Sequence, residues 1–287
     1  MVERVILHAG TPKTGTTSLQ VYLARKRDEL ARRGLIYPPT DGGPSSKPKH
    51  QWLVGALMAP DGREFKRRLE LLLNTQDAHT LILSTEGLFH HWWDFSKGGR
   101  EALRWLGEVV PVGLMVWFRE PVEFVRSNYI QMLKNPTGFV PCYGRDLSIE
   151  QVLDDPWFAR HLDYVGFVRD AERLLGAGTV MPFAYDGDTI GLFLAATGVS
   201  DVGAEALNEH PTMGAVGTEL LRVLNRRELD VEQKRKAVEL IGRLDAMLGP
   251  ASERLVLSED TERRIRDLSQ ASVRALAEDF GIRFDSA

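Results

Sequence analysis

Over the first two thirds of the chain, short unbroken apolar runs alternate with segments whose apolar residues recur every three or four positions. Val5–Ala9 is the first run and predicts a buried strand that ends at Gly10. From Ser18 the pattern turns helical, with Leu19, Leu23 and Leu30 on one side and Arg25, Lys26, Arg27 and Asp28 on the other. Arg32 and Arg33 suit the last turn of that helix, and Gly34 can close it. Leu35–Tyr37 predicts a short strand, and the Pro-, Gly- and Ser-rich stretch Pro38–Lys49 a loop. Phe65, Leu69, Leu72 and Leu73 mark a helix, Leu81–Thr85 a strand, Arg100–Val110 a helix and Gly113–Phe118 the most apolar strand. Pro121 suits the first turn of a helix that runs to Met132. A second loop, Lys134–Leu147, leads to Ser148 and Gln151, which have the spacing of a capping box. A helix over Leu162–Leu175, a strand over Thr179–Ala184 and a helix capped by Asp188 and stopped at Gly198 follow. The remainder is helical: Glu219–Arg227, Val231–Leu248 and Asp260–Phe280.

Apolar strands that are continuous rather than alternating, separated by helices, predict a parallel sheet covered on both faces. The expected fold class is α/β: a P-loop-type parallel β-sheet flanked by helices, with a mostly helical C-terminal portion. No internal repeat or sharp change of composition divides the 287 residues. One domain is expected over residues 1–287, with an α/β core over about 1–200 and the helical portion over about 201–287.

Composition narrows the function. Hydrophobic residues make up 43% and charged residues 26%, as in ordinary globular proteins. A formal net charge of -4 argues against a general nucleic-acid binder, which needs a basic excess to neutralise phosphates. The single cysteine, Cys142, excludes an internal disulfide and a multi-thiolate metal site and suits a reducing compartment. No run has the length of a membrane span, and Val5–Leu7 is too short for the apolar part of a signal peptide. A cytoplasmic location is expected.

The most informative segment is Gly10-Thr11-Pro12-Lys13-Thr14-Gly15-Thr16-Thr17-Ser18, between the first predicted strand and the first predicted helix. A loop there aims backbone N–H groups and a helix N-terminus at one point, which favours a phosphate. Gly10 and Gly15 have the spacing of the nucleoside-triphosphate P-loop, but Thr16 stands where its lysine belongs, and Lys13 lies inside the loop instead. A plain strand–turn–helix with an exposed lysine is the simpler alternative.

Pro12-Lys13-Thr14-Gly15-Thr16-Thr17 resembles the 5′-phosphosulfate loop of sulfotransferases that use 3′-phosphoadenylyl sulfate (PAPS). The resemblance implies that Lys13 meets the phosphosulfate bridge and that Thr16, Thr17 and the loop amides hold the 5′-phosphate. Ser18 occupies the place where many members carry an aromatic residue beside adenine. A second motif lies in Arg119-Glu120-Pro121-Val122-Glu123-Phe124-Val125-Arg126-Ser127. An arginine ending a strand of a parallel sheet reaches the ligand edge, and its planar fork suits a phosphate dianion. In the family, a strand-ending arginine and a serine eight residues later bind the 3′-phosphate, which implies those roles for Arg119 and Ser127. A surface ion pair with Glu120 or Glu123 is the alternative for Arg119. Val180–Phe183 and Phe193–Gly198 resemble bacterial carbohydrate-type sulfotransferases more loosely. The basic cofactor-closing loop of many members has no clear counterpart.

Sulfuryl transfer asks for a cation at the leaving oxygen, a part for Lys13, and a base for the acceptor proton. The predicted strand Leu81–Thr85 runs into Glu86, where members of the family carry a histidine or glutamate base; Glu86 is the candidate, with His90 and His91 as alternatives. Ser84 stands two residues before it, where cytosolic members often carry lysine. Trp52, Trp92 and Trp93 are candidates either for stacking on a sugar or for core packing. The expected co-substrate is PAPS and the product PAP, without a metal, and the expected acceptor is a small molecule or carbohydrate bearing a hydroxyl or amine. A P-loop kinase using Mg²⁺ and a noncatalytic binder of PAPS remain the competing readings.

Overall fold

The computed structural model describes residues 2–40, 48–75, 78–138, 140–199, 213–249 and 254–284. In chain order the elements are β1 (Arg4–Gly10), α1 (Thr16–Arg25), α2 (Arg27–Arg32), β2 (Leu35–Ile36), α3 (Trp52–Met58), α4 (Arg63–Thr75), β3 (Thr80–Ser84), α5 (Gly87–His90), α6 (Lys97–Val109) and β4 (Val112–Phe118). Then come α7 (Pro121–Lys134), α8 (Ile149–Asp154), α9 (Pro156–Ala159), α10 (Tyr164–Leu175), β5 (Val180–Ala184), α11 (Thr189–Thr197), α12 (Ala215–Leu224), α13 (Val231–Leu248) and α14 (Glu259–Phe280). The class is α/β, as the apolar runs predict: among the described residues five strands form one parallel sheet in the order β2-β3-β1-β4-β5, flanked by helices.

The chain groups into two compact units that do not follow chain order. One unit holds Met1–Arg119, Tyr164–Glu209 and Leu276–Ala287; the other holds Glu120–Asp163 and His210–Ala275.

The first unit contains the whole sheet. Every residue of β4 is buried, and β1 is buried from Val5 onward, which is why their sequences show no polar alternation. On one face Ile6, Ile82, Met115 and Trp117 pack with Leu19, Leu23 and Leu30 from α1 and α2 and with Phe193 and Leu194 from α11. An aromatic cluster of Phe89, Phe118, Tyr164 and Phe167 adds to the core. The single helix expected from Ser18 is broken at Lys26 into α1 and α2. No glycine or proline causes the break. Arg27 reaches instead for the chain beyond β2, its guanidinium donating to the Tyr37 carbonyl at 2.7 Å, and Arg25–Arg27 supply no apolar side chain to hold that turn against the sheet.

In the second unit α7 starts at Pro121 as expected, capped by the Glu120 carboxylate accepting from the Glu123 N–H. Ser148 and Gln151 form the expected capping box at α8. Cys142 is buried there, and burial pushes its thiol up to about 12, which leaves it no nucleophilic part near neutral pH. No helix among the described residues is long and apolar enough to cross a membrane.

Candidate functional site

β1 is the middle strand, with β3 on one side and β4 on the other. All three run the same way, so the segments that follow them emerge at one carboxyl edge, at the point where the strand order turns back. Those segments are the glycine loop after Gly10, Glu86 after β3 and Arg119 after β4.

The loop is held by its carbonyl groups. The Thr14 hydroxyl donates to the Thr11 carbonyl at 2.7 Å, Arg119 Nη1 to the Lys13 carbonyl at 3.0 Å, the Thr189 hydroxyl to the Thr14 carbonyl at 2.9 Å and the Leu19 N–H to the Gly15 carbonyl at 3.0 Å. The peptide oxygens of Thr11, Lys13, Thr14 and Gly15 are thus all engaged. Lys13 has a φ of 70° and Gly15 a φ of 69°. Lys13 is the sole non-glycine residue with positive φ among the described residues, a conformation that costs about 1–2 kcal/mol for an L-residue. Gly10 is required by space: a Cβ there would lie 2.8 Å from both Thr14 Oγ1 and Thr16 Cγ2. At the start of α1, Gly15 offers no side-chain cap and no acidic residue lies in the first turn. Thr11, Thr14 and Thr16 are buried, and Pro12, Lys13, Gly15 and Thr17 are half-buried.

Arg119 is fixed from two further directions. Its carbonyl accepts from the buried Tyr164 hydroxyl at 2.9 Å, and its guanidinium lies 5.6 Å from the centroid of the Tyr185 ring. Tyr185 is half-buried and its edge lies beside Gly15. The fork of Arg119 therefore reaches the loop. Ser127 is buried in α7 and belongs to the second unit; every other residue expected in the site lies in the first.

Glu86 stands at the start of α5 without capping it. Its Oε1 accepts from Lys49 Nζ at 2.8 Å and its Oε2 from Gln20 Nε2 at 3.3 Å. Burial alone raises the pKa of this carboxyl, but the Lys49 charge and the hydrogen bonds from Lys49 and Gln20 outweigh it and hold the group below its ordinary value. Gln20 also donates to Ser84 Oγ at 3.2 Å, and that hydroxyl lies 2.7 Å from His8 Nδ1. His8 is fully buried between Trp117 and Phe193, and this desolvation lowers its pKa to about 4 against an upward pull from Glu86, so it is neutral. His90 is buried against His91, and His91 faces Asp94 at 3.3 Å. Trp92 is a core residue whose indole donates to Asp170. Trp52 packs on Phe65 and Arg68, and Trp93 on Phe89.

Sequence reasoning missed Gln20, Lys49, Tyr164, Tyr185 and Thr189. Gln20 carried a signal: it is a polar residue inside the apolar stripe of Leu19 and Leu23. Among the described residues no cluster of three or more histidine, cysteine or acidic side chains is arranged to hold a metal ion.

No protein-family model matches the chain, and no curated protein matches it. Among solved structures it is similar to a sulfotransferase from Alicyclobacillus acidocaldarius, with 16% identity over 80% of this chain and 98% of that one and a TM-score of 0.43. It is also similar to retinol dehydratase in complex with androsterone and inactive cofactor PAP, with 10% identity over 98% and 82% of the two chains and a TM-score of 0.31. A protein of the PezAT toxin–antitoxin system of Streptococcus pneumoniae gives 11% identity over 86% of each chain and the same TM-score, 0.31. At this distance the likenesses leave the functional reading to the residues of the site.

Proposed function

We propose that the protein is a sulfotransferase that moves a sulfuryl group from PAPS to a hydroxyl or amine of a small-molecule or carbohydrate acceptor. The observation that carries this reading is the carbonyl-anchored loop. An anion site needs peptide N–H groups facing the ligand and carbonyls turned away. Here Thr11, Lys13, Thr14 and Gly15 have their oxygens tied to Thr14, Arg119, Thr189 and Leu19, and the uncapped start of α1 adds its own positive end. The space that a Cβ at Gly10 would fill keeps the loop narrow.

In this reading Pro12, Lys13, Thr14, Gly15, Thr16 and Thr17 form the 5′-phosphosulfate site. Arg119 recognises the 3′-phosphate, with Ser127 assigned to the same group from the sequence motif alone. Chemistry is an in-line displacement: the acceptor atom bonds to sulfur as the bond from sulfur to the bridging oxygen breaks. Glu86 takes the acceptor proton, and Lys13 meets the charge that grows on the departing oxygen. No metal has a part in it.

The test is binding followed by turnover. PAP is expected to raise the melting temperature more than ATP at equal concentration, because a ligand of the native state stabilises it by mass action. Sulfate from labelled PAPS is expected to pass to one member of a panel of sugars, phenols, alcohols and amines in the presence of a chelator. Tighter binding of ATP than PAP, with transfer only when Mg²⁺ is added, would replace this reading with a kinase.

A further inference from the structure

The cation beside Glu86 does not come from β3, the strand that leads to it. Ser84 occupies the position two residues earlier, and Lys49 arrives from the far side of the Pro38–Lys49 segment. Its approach is anchored on both sides. The Tyr37 hydroxyl donates to the Pro48 carbonyl, the His50 N–H donates to the Ser84 carbonyl at 2.8 Å, and the Ser84 N–H returns to His50 Nδ1 at 3.0 Å. His50 itself is buried with its ring edge-on to Tyr37, and its Nε2 lies 3.2 Å from the Pro38 carbonyl. The backbone at Lys49 is thereby fastened to the end of β3, two residues before Glu86. The Lys49–Glu86 pair is about three-quarters shielded from water, with side-chain exposures of 26% and 29%.

We infer that Lys49 is a positioning residue: it fixes the Glu86 carboxylate at one oxygen while Gln20 holds the other, and so sets the place of the proposed base. This rests on the proposed sulfotransferase reading. The groups that face Glu86 from the packed elements are Lys49, Gln20 from α1, and, farther off, His8 from β1 and the Tyr37 phenol. His8 is neutral, and burial raises the Tyr37 phenol well above its ordinary value, so neither adds charge. Lys49 is the cation that offsets the burial of Glu86. Gln20 lies one turn into the helix that begins at the phosphate loop, so it ties the place of the base to that loop.

The experiment titrates Glu86 and the reaction in the same variants: wild type, Lys49→Met, Lys49→Arg and Glu86→Gln. Carbon-13 NMR of labelled glutamate reads the Glu86 carboxyl, assigned by its loss in Glu86→Gln. The pH profile of kcat for sulfate transfer reads the base in action, and calorimetry with PAP reads the loop. Lys49→Met is expected to raise the Glu86 pKa and the acid limb of kcat together by about 1–3 pH units, with PAP affinity unchanged. Lys49→Arg, which keeps the charge, is expected to restore both. A Glu86 pKa and acid limb that stay at the wild-type position in Lys49→Met would overturn the inference while leaving the sulfotransferase reading intact. A shifted Glu86 in a protein that transfers no sulfate from PAPS would keep the ion-pair assignment and overturn the sulfotransferase reading.

Discussion

Replacing Arg119 with alanine separates the job that the structure gives this side chain from the one proposed for it. The first job is mechanical. Arg119 Nη1 donates to the Lys13 carbonyl at 3.0 Å and so helps turn the loop amides inward. The second, proposed, is recognition of a 3′-phosphate by the rest of the guanidinium fork. Loss of the loop contact weakens every ligand of the loop. A hydrogen bond from a charged donor is worth about 1.5–3 kcal/mol in full, and Arg119 is half-buried, so the shared loss falls nearer 1 kcal/mol, about fivefold in affinity. Loss of the phosphate contact affects only ligands that carry the 3′ group and adds about 1.5–3 kcal/mol, a further tenfold to hundredfold. Calorimetry with PAP and with adenosine 5′-phosphosulfate, on wild type and Arg119→Ala, gives the four numbers needed. PAP is expected to lose about fiftyfold or more and the other ligand about fivefold. Arg119→Lys, with the charge but without the planar fork, is expected to recover less than half of the difference. Equal losses for both ligands would refute the 3′-phosphate assignment and leave Arg119 as a brace for the loop alone.

Three other substitutions probe the site from different sides. Gly10→Ala puts a Cβ 2.8 Å from Thr14 Oγ1 and Thr16 Cγ2, so the loop must shift; PAP affinity by calorimetry is expected to fall at least tenfold. Lys13→Gly removes the strain at a φ of 70° together with the charge, so urea unfolding is expected to show stability unchanged or raised by about 1 kcal/mol while turnover drops by about two orders of magnitude. His8 carries a depressed pKa of about 4, so the unfolded chain takes up its proton first as pH falls. That contribution is complete above about pH 6.5 and is lost as pH descends toward 4; wild type is expected to lose about 1.3 kcal/mol more than His8→Leu between about pH 7.5 and 5.5 in denaturant titrations.

The strands and the loop were legible because they depend on neighbours along the chain. Val5–Ala9 and Gly113–Phe118 read as buried strands from their unbroken apolar character alone, and β1 and β4 lie there. Pro121 announces a helix start through its fixed φ, and Ser148 with Gln151 and Asp188 do so through a local bond to the next turn; all three hold. Shorter elements escaped. α3 follows a loop and carries Gly55 in its middle, and α5 has only four residues, too few for a period to show. The break at Lys26 has no glycine or proline to announce it; beside it Arg27 bonds to the Tyr37 carbonyl, ten residues away.

The site divides along the same line. The residue types in the loop, Gly10, Lys13 and Gly15, suggested the proposed phosphate cradle, but the direction in which its peptides face was not legible. That direction is set by Arg119, 106 residues from Lys13, and by Thr189, 175 residues from Thr14. The same loop in a scaffold lacking those two donors would have its carbonyls at 13 and 14 free to turn toward the ligand, and an inward carbonyl repels a phosphate. Lys13 illustrates the cost. A left-handed lysine is held only where the surroundings outweigh its strain, and its own carbonyl bond to Arg119 is one of the contacts that do so. The residue expected to stabilise the leaving oxygen and the residue expected to bind the 3′-phosphate are therefore one mechanical unit. A ligand phosphate that draws the Arg119 fork also acts on the carbonyl that sets the conformation of Lys13.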